Sequence, residues 1–110
     1  MSGGGGGGVG GGGGPVIDET PCERVKFETQ LTSPQPAVVA TIMVGDVLDV
    51  VLSARQNVLV IEAQKNGHAV GGIAGLDAAR LRACINDGHV FKATVLTVNG
   101  GQVKVKVEHA

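Results

Sequence analysis

The chain has no tryptophan and no tyrosine, and its only aromatic side chains besides histidine are Phe27 and Phe91. Surfaces that grip bases by stacking need several exposed rings, so that mode of recognition is poorly served. An excess of one charge is also missing. Nine Lys and Arg face ten Asp and Glu, a formal charge of −1, which does not suggest a dedicated nucleic-acid binder. No apolar run approaches the roughly 20 residues that cross a bilayer as a helix, and no apolar segment follows Met1. Neither a membrane span nor a signal peptide is expected. Cys22 and Cys84 lack CxxC or zinc-knuckle spacing, so two free thiols in a reducing, bacterial-type cytoplasm are expected.

A catalytic constellation is missing too. His68, His89 and His109 stand at no ligand spacing from one another or from a cysteine, and read as surface or loop histidines. Cys84 falls on the apolar side of a helical pattern and reads as a small core hydrophobe. Asp46 and Asp49 do not make a carboxylate pair, because an acid in a Gly-Asp turn normally serves the turn. No catalytic residue, metal ligand or cofactor is therefore singled out, and a non-enzyme is expected.

What is present begins with glycine. Residues 3–14 are glycine except for Val9, a composition that cannot bury enough apolar surface to offset the entropy of ordering. The expected organisation is a disordered tail over residues 1–20 and a single domain over 21–110. Within the domain, valine, alanine, leucine and isoleucine dominate, which favours strands.

Arg24 to Thr32 alternates Val25, Phe27, Thr29 and Leu31 with polar residues, the period of a half-buried strand, and Pro34 and Pro36 end it. Ala37 to Met43 fits either a short strand or one helical turn. Val47 to Leu52 and Val58 to Ala63 read as strands. Asn66-Gly67 is the strongest hairpin dipeptide of the chain and leads into a strand over His68 to Ile73. Asp77 is a plausible N-cap for one short helix whose Ala78, Leu81, Cys84 and Ile85 share a face, with Gly88 available to close it.

The C-terminus reads as a hairpin of Phe91 to Val98 with Val103 to Val107. A two-residue turn at Asn99-Gly100 would set Val103, Val105 and Val107 against Leu96, Thr94 and Lys92. A three-residue loop, Asn99-Gly100-Gly101, sets them against Thr97, Val95 and Ala93 instead and keeps every lysine off the valine face. Burying a lysine costs more than a looser turn, so the three-residue loop is expected.

From Val38 onward the order of elements resembles the HIRAN domain of bacteria. Gly45-Asp46 matches that family's first signal, and Val58, Val60 and Ile61 its next strand. Gly67, Val70 and Gly71 match its turn, Leu81, Ile85 and Gly88 its helix, and Ala93 and Val95 its last strand. The likeness runs over Ala37 to Val107. It implies a small β-barrel with one or two helices and, in the family's characterised members, a site for single-stranded DNA ends. Where that family carries an N-P-x-D-like loop with an aromatic, this chain has Ser53-Ala54-Arg55-Gln56-Asn57.

The resulting expectation is a mostly β, α+β fold: a small barrel of about six strands with one short helix. Its leading function is a non-enzymatic accessory module that engages a partner protein. Outward-pointing Leu96 and Val98 are the candidate apolar contact. The alternative is binding of single-stranded nucleic acid through a basic face made of Arg80, Arg82, Lys92, Lys104 and Lys106, since lysines and arginines contact phosphates. The charge is divided in a way that allows this. Residues 1–62 carry seven acids and three bases, whereas 63–110 carry six bases and three acids.

Overall fold

A computed structural model describes residues 20–110; the expected tail therefore lies, but for its last residue, outside the described residues. Six strands make one antiparallel sheet: β1 (Lys26–Gln30), β2 (Val47–Arg55), β3 (Val58–Lys65), β4 (His68–Ile73), β5 (Phe91–Asn99) and β6 (Gln102–His109). Their spatial order is β1-β6-β5-β2-β3-β4. A 3-10 turn at Cys22–Arg24 precedes β1, a one-turn helix α1 (Pro36–Val39) follows it, and α2 (Ala78–Asn86) joins β4 to β5.

Alternation explains the two faces. Leu48 and Val50 of β2, Phe91, Ala93 and Val95 of β5, and Val103, Val105 and Val107 of β6 are all buried on one side. Leu81 and Cys84 of α2 close over that side with no exposed surface, so packing holds this short helix, as its length requires. Asp77 occupies the N-cap position without a side-chain hydrogen bond. Its φ of −85° and ψ of −8° are helical, and an N-cap side chain bonds back to the first turn from an extended backbone. Gly88, at φ 97°, does end the helix, its N–H donating to Ile85 O at 3.0 Å.

The C-terminal hairpin has the expected pairing in its body, with Val105 opposite Val95 and Val107 opposite Ala93. The device that sets it differs. Asn99 pairs with Gln102, leaving a two-residue Gly100-Gly101 turn in which both φ values are positive, at 59° and 89°. That is the backbone a tight right-twisted hairpin needs. The register then shifts by one at Leu96, between Val95 and Thr97. The bulge absorbs the offset, so the lysines stay off the valine face.

The expected barrel is corrected: this sheet is not closed. β1 and β4 are its edges, and beyond β1 an isolated bridge joins Thr32 to Gly72. Thr32 N–H donates to Gly72 O at 2.9 Å, Gly72 N–H to Thr32 O at 2.8 Å, and Gln35 N–H to Val70 O at 2.8 Å. A full ladder cannot follow, because Ser33 turns left-handed at φ 46° and Pro34 has no N–H to donate. The strap nevertheless covers the edge of β4. Gly71 and Gly72 permit its approach: a Cβ on Gly71 would stand 2.9 Å from Leu31 Cβ, and one on Gly72 2.6 Å from Thr32 Oγ1.

The free-thiol expectation is also corrected. Cys22 and Cys84 form a disulfide, their Cα atoms 5.6 Å apart across 62 residues of sequence. It ties the turn before β1 to α2. Such a pairing has no local spacing to betray it, since the fold alone brings the two thiols together.

Candidate functional site

The outer face of β2 and β3 carries the one buried charge among the described residues. Register places Arg55 opposite Val58, Ser53 opposite Val60 and Val51 opposite Glu62, so all these side chains point away from the core. Glu62 would be exposed on a bare sheet, yet its side chain is only 8% accessible. Arg55 reaches back along the hairpin past Ser53 to grip it. Nε donates to Oε2 at 2.6 Å and Nη2 to Oε1 at 3.0 Å, a two-pronged fork. Gln64 Nε2 adds a third bond to Oε1 at 3.1 Å. The Arg55 bonds hold the Glu62 carboxyl below the usual carboxylate range, with help from Gln64 and Ser53, against the opposing effect of burial. Glu62 raises the Arg55 guanidinium in turn. Arg55 itself is 56% exposed, and its Nη1 lies outside the pair.

This pair forms one wall of a groove of about 510 Å³. Gln35, Pro36, Ala37 and Val38 from the start of α1, with Pro36 at its first turn, and His68 and Ala69 of β4 line the rest of it. A second pocket of about 440 Å³ shares Ala37, Val38 and His68, which makes the groove continuous toward Lys65 and Thr41. There Lys65 Nζ donates to Thr41 O at 2.6 Å and lies 3.4 Å from Asp46 Oδ2. Asp46 Oδ2 also accepts Met43 N–H at 3.0 Å. That backbone bond is the main reason its carboxyl is lowered, with Lys65 contributing. Asp46 thus serves its own turn. The groove sets apolar Pro36, Ala37, Val38 and Ala69 beside polar Gln35, Arg55, Glu62 and His68.

The five basic residues expected to share a face are divided. Lys92, Lys104 and Lys106 do point outward from β5 and β6. They alternate with acids: Lys92 stands opposite both Asp49 and Glu108, and Lys106 opposite Glu28. Lys104 Nζ lies 3.3 Å from Glu28 and Lys106 Nζ 3.9 Å from Glu108. Arg80 and Arg82 belong to α2, on the other side of the sheet, where Arg80 Nη2 donates to Thr20 O. Leu96 is the bulge residue and is half-buried, and Val98 is 37% exposed near the hairpin turn. Backbone bonds from Gly45 N to Val95 O and from Val95 N to Asp46 O set the exposed Met43-Val44 turn beside that bulge.

Arg55, Glu62, Gln35 and His68 were not among the candidate residues read from sequence. The signal available was weak: an acid and a base on one face of a hairpin, two outward positions apart, which ordinarily means two solvated charges. Compared with protein-family models, with curated proteins and with solved structures, the chain matches none. No helix among the described residues is long and apolar enough to cross a membrane.

Proposed function

We propose that this domain is a non-enzymatic binding module whose groove between α1 and the β3–β4 hairpin takes a segment of a partner protein. The observation that carries the reading is Glu62. A desolvated carboxylate adds little net stability even when paired, so its place at the wall of an open groove is best explained by what it does to Arg55. It fixes the guanidinium fork through Nε and Nη2 while the Arg55 side chain stays 56% exposed, so Nη1 is left for a carboxylate or a peptide carbonyl. Pro36, Ala37, Val38 and Ala69 offer the apolar contacts beside it. The same bonds argue against acid–base chemistry, since the lone pairs of Glu62 are committed to Arg55 and Gln64.

The HIRAN-like reading belongs to this proposal. It supports an accessory role beside a larger bacterial protein, with the Thr32–Gly72 bridge as a partial counterpart of the family's closed barrel. Nucleic-acid binding is the weaker alternative, because the lysines on the outer face of β5 and β6 are interleaved with Glu28, Asp49 and Glu108. A cytoplasmic setting would require Cys22 and Cys84 to be kept oxidised there, whereas disulfides persist more readily in oxidising compartments.

Selection from a displayed peptide library tests the proposal. The native protein should enrich sequences carrying an acidic residue, and Arg55→Ala, checked for an intact fold by its melt, should lose them. Failure to enrich any sequence, or enrichment that survives Arg55→Ala, would overturn it. Binding of single-stranded oligonucleotides that strengthens steeply at low salt would favour the alternative.

A further inference from the structure

Two of the three histidines meet at the end of the β5–β6 hairpin opposite its Gly100-Gly101 turn. His109 closes β6 directly opposite Phe91, and His89 lies between α2 and β5. His89 Nδ1 and His109 Nε2 are 3.1 Å apart. Both rings sit on fixed backbone. His89 N–H donates to Cys84 O at 3.0 Å and Ala110 N–H to Val90 O at 2.9 Å, and Phe91 meets the His109 ring edge-on with centroids 5.3 Å apart.

The geometry points to a two-histidine chelate for a divalent transition-metal ion of the zinc, nickel and copper class. His109 Nδ1 lies 3.0 Å from the main-chain oxygen of Ala110. Donating there fixes the tautomer whose Nε2 carries the free lone pair, the second-shell arrangement that metal-binding histidines commonly use. The spacing suits an ion as well. With metal–nitrogen bonds of about 2.0–2.1 Å, two nitrogens 3.1 Å apart subtend roughly 95–100° at the metal. That lies between the octahedral and tetrahedral angles, so only a small tilt of the rings is needed. An all-imidazole donor set suits zinc, nickel and copper rather than magnesium or calcium. The C-terminal end of α2, beside His89, adds a favourable negative potential for a cation.

His89 Nδ1 and His109 Nε2 face each other across 3.1 Å, and metal binding turns both lone pairs to the ion, any hydrogen between them passing to solvent or to His89 Nε2. Among the described residues no cluster of three or more His, Cys, Asp or Glu is placed to hold a metal. The site is thus a two-ligand one, with its remaining coordination positions filled by water and its ion exchangeable.

Nuclear magnetic resonance of the full oxidised chain with Ni²⁺ is the direct test. Substoichiometric Ni²⁺ should broaden the ring signals of His89 and His109 together and leave those of His68 sharp. Calorimetry with Zn²⁺ should give one site per chain. Affinity should fall roughly tenfold or more in His89→Gln and in His109→Gln, because the second imidazole then no longer binds intramolecularly. Equal broadening of all three histidines, no Zn²⁺ binding at millimolar concentration, or unchanged affinity in both variants would overturn the assignment. The Ni²⁺ experiment uses the native chain, so its result stands even if a variant folds poorly.

Discussion

Reduction of the Cys22–Cys84 bond is the perturbation with the largest calculable effect. The bond spans 62 residues, and the entropy it removes from the unfolded chain corresponds to about 4 kcal/mol for a loop of that size. Small domains are stable by only about 5–15 kcal/mol in total, so the bond accounts for a large share. For a domain of this length each kcal/mol moves Tm by about 4–8 °C, which gives a fall of roughly 15–30 °C. Cys84 is fully buried and Cys22 nearly so, so reductant reaches the sulfurs only when the structure opens. The protein should therefore be unfolded, reduced and refolded before a melt followed by circular dichroism, with thiol alkylation and mass measurement to count free cysteines. A fall of less than about 5 °C with both thiols demonstrably free would refute the reasoning. So would finding two free thiols in the native, unreduced protein.

Other perturbations probe the strap, a turn and the groove. Gly72→Ala places a Cβ 2.6 Å from Thr32 Oγ1 and should cost about 1–3 kcal/mol in denaturant unfolding; adding Thr32→Ala should recover most of it. Gln56 sits left-handed at φ 51° in the β2–β3 turn, so Gln56→Gly should stabilise the fold by about 1 kcal/mol. Glu62 has a folded-state pKa held below its ordinary 4.5, chiefly by Arg55. Its contribution is therefore complete above the unfolded value and is lost as pH falls through the depressed folded one. The stability difference between the native protein and Glu62→Gln should shrink on acidification below about pH 4.5; a difference that is flat with pH would contradict the Arg55 pairing.

Much of the strand order was legible because alternation and turn chemistry are local. Val103, Val105 and Val107 announced a buried face, and Asn66-Gly67 its hairpin. The C-terminal register followed from keeping lysine out of the core. The way it was met did not, because two glycines could serve either loop length and a bulge at Leu96 leaves no composition signal. Nothing in the sequence around Gly71 and Gly72 marks a close approach; only the path of Leu31 and Thr32 across β4 reveals it. The disulfide and the burial of Glu62 were illegible for the same reason. Each depends on which side chain the fold brings onto a residue: Cys84 of α2 onto Cys22, and the Arg55 fork with Gln64 onto Glu62. The basic face was legible only in part, for a related reason. Lys92, Lys104 and Lys106 share a face as read, but cross-strand neighbours supply the acids that neutralise it, and α2 carries Arg80 and Arg82 to the opposite side.

The central claim is that the groove held open beside Glu62 and Arg55 is where a partner segment docks. Amide chemical-shift mapping of the native protein with a selected peptide measures this directly. Perturbations should cluster at Gln35, Ala37, Val38, Arg55, Glu62, His68 and Ala69 and be abolished in Arg55→Ala. Perturbations centred instead on Lys92, Lys104 and Lys106 would contradict it.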